Sequence, residues 1–152
     1  MSLEIIVSGG QSGADRAGLD VAILNNFPHG GWCPKGRRAE DGVIDLRYQL
    51  IETTSPGYRT RTERNVRDSD GTLILTLAAE LTGGSLLTQN LTRKHGKPCL
   101  HVSREGTENP AAVIQQFVAS FGVRRLNVAG SRESKEPGLH DWSVRVLNEA
   151  LF

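Results

Sequence analysis

The chain has 152 residues, 18 basic against 17 acidic, and a formal charge of +1. This length fits one domain spanning 1–152 that buries about two-thirds of its unfolded surface. The balanced charge argues against a typical duplex-binding domain, the apolar runs are too short to span a bilayer, and no signal-peptide pattern opens the sequence. A cytoplasmic protein without membrane attachment is expected. Its two cysteines, Cys33 and Cys99, lack the number and spacing of a zinc site or disulfide framework, so no structural metal is expected.

The β-branched run Leu3–Ser8 ends at Gly9-Gly10 and reads as a buried strand. Ala14, Ala17, Val21 and Leu24 then recur at helical steps, with Ser12 as the expected cap and Asp15 at capping-box spacing. From Phe27 to Tyr58, prolines and glycines break the pattern, and only 48–52 suggests a strand. A segment this long without regular structure points to function. Arg59–Asp68 reads as a helix, Thr72–Thr76 as a strand, Ser85–His95 as a helix and Pro98–Val102 as a strand. Asn109-Pro110 opens the next helix as a cap and first-turn pair. Arg125–Ala129 is a further strand, and Leu139, Val146, Leu147, Ala150 and Leu151 mark the last helix. Apolar strands alternating with helices predict a three-layer, Rossmann-like α/β fold with a mainly parallel sheet flanked by helices. Ligands in such folds sit beyond the carboxyl ends of the strands, where strand order reverses.

The candidate site residues follow the strands. After the first come Gly9, Gly10, Gln11, Ser12, Gly13, Asp15 and Arg16, a glycine loop feeding a helix N-terminus, which is the chemistry of an anion site. It is neither a P-loop nor a dinucleotide fingerprint. After the second comes another glycine pair, Gly83 and Gly84, with hydroxyls at Ser85 and Thr88. After the last come Gly130 and Arg132. In the irregular segment, Lys35 and Arg37 lie beside Trp32, as in a cationic lid carrying a stacking aromatic. Arg61, Arg64 and Arg67 fall three apart on one helix, which gives a solvated ridge, a phosphate-facing one or a subunit contact. The cations include 14 Arg and 4 Lys, and arginine's planar fork suits oxyanions. No histidine forms a triad with Ser or Cys, and Cys33 has no base beside it.

The stretches 9–20, 30–42, 61–66, 69–72, 83–85 and 127–135 closely resemble the molybdenum cofactor carrier protein family, in order and over nearly the whole chain. That family is related to the lysine decarboxylase-like phosphoribohydrolases and the DNA-processing protein A group. The resemblance implies a small, oligomeric α/β protein, a dimer or tetramer. Its ligand would be of the molybdopterin type, a pterin with a terminal phosphate. On this resemblance the glycine loops and arginines hold the phosphate and Lys35 and Arg37 answer the molybdenum oxyanion. Arg61, Asn65 and Asp70 complete the set, with Asp70 pairing with pterin nitrogens. The phosphoribohydrolase relatives carry a catalytic Glu in a PGGxGTxxE motif, and the matching position here is Asn90.

The expected function is therefore a carrier for molybdenum cofactor as bound cargo, handed to a molybdoenzyme, with no catalytic residue evident. The alternative is a nucleotide-binding sensor, or an enzyme acting on a nucleotide-derived ligand in the same crevice. Nucleic-acid binding is disfavoured by the charge balance and the few aromatics.

Overall fold

A computed structural model describes residues 2–152. In chain order its elements are β1 (Ile5–Val7), α1 (Ala14–Leu24), β2 (His29–Gly30), β3 (Trp32–Cys33), β4 (Arg38–Ala39), β5 (Gly42–Val43), β6 (Ile51–Glu52), α2 (Tyr58–Arg67), β7 (Gly71–Thr76), α3 (Gly83–Lys94), β8 (Cys99–Ser103), α4 (Pro110–Ser120), β9 (Arg125–Gly130) and α5 (Leu139–Leu151). Five strands form one sheet in the order β2-β1-β9-β7-β8. Every pairing in it is parallel. The chain winds outward from β1 to β2, crosses to β7 and β8, and returns to insert β9 between β1 and β7. Strand order therefore reverses around β9, and the loops after β1, β7 and β9 emerge at the same edge.

All six residues of β7 are buried, as a central parallel strand covered on both faces requires. Alternation along the strands sorts its two sides. Leu73, Leu75, Leu126 and Val128 join a core with Ile114 of α4 and Leu147 of α5. Helices α1, α5 and α4 pack in a row, while α2 and α3 pair with each other, α3 also lying against β7 and β9. Thr72 and Asn127 belong to the opposite alternation, where the Asn127 amide donates to Thr72 Oγ1 at 3.2 Å. Asn109 caps α4 as expected, accepting the Ala112 amide with Pro110 in the first turn. No helix of the described residues is long and apolar enough to cross a membrane.

The segment 27–58 departs from its expected irregularity. It supplies β2 to the main sheet, pairs β3 with β6 in parallel and folds β4 against β5 as an antiparallel hairpin. The strand expected over 48–52 is reduced to Ile51–Glu52. The physical reason lies in Arg37, whose guanidinium donates to the carbonyls of Ile44, Asp45 and Tyr48 at 2.7–2.9 Å. Backbone before β6 is thus held by one side chain instead of a ladder. The helix expected from Ser85 starts two residues earlier, at Gly83, and the cap of α1 is Gly13 rather than Ser12.

Candidate functional site

A crevice open to solvent lies at the carboxyl edge of the sheet, on the side of α2 and α3. Its floor comes from the ends of β1 and β9 and its walls from α2, α3 and the loop after β9. Of the residues expected from sequence, Gly9, Gln11, Asp15, Arg61, Asn65, Gly84, Thr88, Gly130 and Arg132 line it. Two glycine loops and the loop after the last strand do converge.

The first loop is not an open phosphate cradle. The Gly10 amide donates to Ser8 Oγ at 3.2 Å, the Gln11 amide to Asp15 Oδ2 at 3.4 Å, and the Ser12 amide to Gln11 Oε1 at 3.1 Å. The Ala14 amide donates to Ser131 O at 3.2 Å. With these donors committed and the Asp15 carboxyl in the first turn of α1, the positive end of that helix is already answered. Gly13 makes this loop possible. Its φ is +81° and a Cβ there would stand 2.4 Å from Ser131 O, so only glycine fits the junction with the β9–α5 loop.

The second loop is arranged differently. Thr82, the N-cap of α3, makes no side-chain cap hydrogen bond, so the first-turn amides are left for an outside acceptor. Thr82 O and Oγ1 instead accept Lys135 Nζ, at 3.3 and 2.6 Å. This places an ammonium beside the helix N-terminus. Gly84, Thr88 and Lys135 share the crevice wall there with Arg59 and Arg132. Ser85 is buried, its Oγ donating to Thr82 O, and with Gly83 it supports the turn without lining the crevice.

Gln11, Asp15 and Arg61 also line the crevice. Arg61 is 6% exposed; its Nη1 donates to Gly9 O at 2.8 Å and stands 4.0 Å from Asp15 Oδ2. Gly9 must lack a side chain, since a Cβ would meet the Arg61 side chain at 2.6 Å. Burial pushes the Asp15 carboxyl above the ordinary carboxylate range, against the opposing pull of Arg61. Gln11 Oε1 accepts the Ser12 and Glu40 amides, while its Nε2 is buried without a partner. At the mouth, the Tyr58 ring is flanked by the guanidiniums of Arg61, Arg38 and Arg132 at 5.2, 5.6 and 5.6 Å.

Several expected site residues lie elsewhere. Arg16 turns away, holding Gly10 O with Nε and Nη2 and pairing with Asp41 at 2.9 Å. A Gly10 side chain would press on Leu50 at 2.7 Å with φ at +77°, so this glycine serves the fold. Ser12 donates to Glu40 and accepts the Glu133 amide, tying three loops together. Lys35 is exposed and outside the crevice, and Arg37 is spent on carbonyls. Asp70 sits before β7, at the opposite edge of the sheet, where Oδ2 accepts the Arg124 and Arg125 amides at 3.1 and 2.8 Å. It cannot pair with a ligand in the crevice. Trp32 stacks against Arg64 at 4.9 Å and donates from Nε1 to Asp68, so it does not serve as a lid. Cys33 is fully buried, and burial pushes its thiol up. The helical ridge splits as well: Arg61 enters the crevice while Arg67 pairs with Asp68 at 2.7 Å.

The residues that sequence reasoning missed are Tyr58, Arg59, Thr62, Leu87, Asn127, Ala129 and Lys135. Two left a trace. Asn127 is a polar residue inside an otherwise apolar strand, and Lys135 follows the last strand beside Arg132.

Comparison with known proteins agrees with this architecture. No match emerged among curated proteins. A crystal structure at 1.45 Å of a protein from Syntrophus aciditrophicus SB, provisionally named a molybdenum carrier protein, is 42% identical. The match covers 99% of this chain and 96% of that one, with a TM-score of 0.96. The model of the circularly permutated YpsA SLOG family matches residues 6–151. With nearly the whole chain matched, the protein belongs to the circularly permutated YpsA SLOG family.

Proposed function

We propose that the protein binds a phosphorylated heterocycle of the molybdopterin type in this crevice and carries it as cargo. The observation that carries the reading is the uncapped N-terminus of α3, with Lys135 Nζ held 2.6 Å from Thr82 Oγ1 beside it. Free amides, a helix dipole and an ammonium together form an anion site. The phosphate therefore belongs at the second glycine loop, since the backbone amides of the first are committed within the protein. Arg132 and Arg38 around Tyr58 supply further positive charge at the mouth for the oxyanion of the metal. The neighbour's name points to the same cargo.

Carrying needs affinity and release, and the wall residues suit that. Lys135 and Arg132 reach the crevice from one loop, so a single segment can tighten or loosen the grip. The acid position of the phosphoribohydrolase motif is Asn90 in this chain, which removes that route to glycosidic hydrolysis.

The test is retention. Purified protein is mixed anaerobically with molybdenum cofactor, gel-filtered, and the protein peak assayed for the oxidised fluorescent pterin, with AMP and NAD as competitors. Stoichiometric pterin that resists both nucleotides, and falls about tenfold in affinity in Lys135→Gln, supports the reading. No pterin, or ready displacement by either nucleotide, refutes it in favour of a nucleotide ligand.

A further inference from the structure

The crevice is lined by two chemically different sets of groups, and the set on the first loop has no need of a phosphate. Gln11 is 5% exposed and Asp15 7%, yet both line the crevice. The Gln11 backbone N–H donates to Asp15 Oδ2 at 3.4 Å. The Gln11 side chain cannot turn over. Its Oε1 accepts two backbone amides, Ser12 N at 3.1 Å and Glu40 N at 2.8 Å, and a reversed amide would set donor against donor. Nε2 is therefore fixed as a donor, buried and without a partner in the protein. Leaving such a donor unmet is unfavourable, and a ligand acceptor would relieve it. The Asp15 carboxyl, an acceptor, lines the same crevice.

One side-chain donor and one carboxylate in the same crevice suit a particular heterocycle edge. In pterins and in guanine, an oxo group, a ring N–H and an exocyclic amine stand in a row. The carboxylate can take the N–H and the amine while the amide donates to the oxo group. Adenine presents a ring lone pair at the middle position, facing the carboxylate, and hypoxanthine lacks the amine. Lumazine replaces the amine of pterin with a second oxo group, which meets the carboxylate as an acceptor.

We infer that Asp15 and Gln11 are specificity-determining residues that select the amino-oxo-pyrimidine edge shared by pterins and guanine. This rests on the reading of the crevice as a site for a phosphorylated heterocycle. It adds what the neighbour's name does not give: which residues read the ring, and which rings they reject. It also reassigns the pairing role from Asp70, at the wrong edge of the sheet, to Asp15.

The experiment is calorimetric titration at neutral pH with GMP, IMP and AMP, and with pterin against lumazine. GMP should bind at least about tenfold tighter than IMP, the equivalent of one charge-assisted hydrogen bond, with AMP weaker still. Pterin should bind and lumazine should not. In Asp15→Asn the GMP-to-IMP ratio should narrow to within about threefold, and Gln11→Met should weaken GMP by about tenfold. If a variant fails to fold, the wild-type ranking alone decides. Whichever of pterin and GMP binds tighter identifies the source of the edge. GMP, IMP and AMP binding within about twofold of each other overturns the inference while the phosphate site stands. No binding by any of the five probes overturns the inference and the reading beneath it.

Discussion

Asn65 separates a strut from a ligand contact. Its side chain is 2% exposed and spans the backbone of Trp32, Oδ1 accepting Trp32 N at 2.8 Å and Nδ2 donating to Trp32 O at 2.9 Å. This pair of hydrogen bonds fastens β3 to α2 and so fixes one wall of the crevice. Asn65→Ala removes both partners at once. Each backbone group left unmet costs about 1–3 kcal/mol, and Trp32 is half-buried, so water recovers part of it. The expected loss is about 2–4 kcal/mol, a large share of the roughly 5–15 kcal/mol that holds a domain together. Urea unfolding at 25 °C measures it directly, and the melting temperature should fall by about 5–15 °C. A loss below about 1 kcal/mol would refute the assignment. Unchanged stability with abolished ligand binding would instead make Asn65 a ligand contact.

Two further outcomes follow from the geometry. Gly13→Ala forces a side chain into φ +81° against Ser131 O and should lower the urea stability by more than about 2 kcal/mol; a change within about 0.5 kcal/mol would contradict the junction described. His140 Nε2 lies 2.7 Å from Asp20 Oδ2, and that hydrogen bond raises the imidazole above its usual value. Burial opposes ionisation of Asp20, yet His140 and Tyr48 together hold it below the usual carboxylate range. The histidine contribution is complete below its unfolded pKa of about 6.5 and fades as pH rises through the elevated folded value. Wild-type stability should therefore decline as pH rises above about 6.5, relative to His140→Gln, and parallel urea profiles for the two would disprove the coupling.

The sheet, its parallel sense and the edge carrying the crevice were legible because periodicity and glycine breaks are local signals. Asn109-Pro110 capping α4 is of this kind. The roles of individual side chains were less legible, because they depend on partners far along the chain. Arg16 and Arg37 look like anion ligands in sequence, but each finds backbone carbonyls. Asp70 precedes its strand and so could not reach the far edge, a point that strand polarity alone decides. The first glycine loop looked like a cradle because a sequence shows amides without their acceptors. Here Ser8 Oγ, Asp15, Gln11 Oε1 and Ser131 O take them. Asp15 itself was picked out as a phosphate-loop residue, but its burial beside Arg61 depends on contacts the sequence does not show.

The central strand of the sheet, β9, is also the last to appear in the chain. Until residues 125–130 are available, β1 with β2 and β7 with β8 are two separate ribbons, each presenting an unpaired edge. The crevice floor, made by the ends of β1 and β9, does not exist in either ribbon. Assembly of the site is thus tied to a late, long-range insertion, the kind of event that slows folding and leaves open edges exposed to wrong partners. During synthesis, ligand can therefore help to close the sheet only after its final strand has emerged.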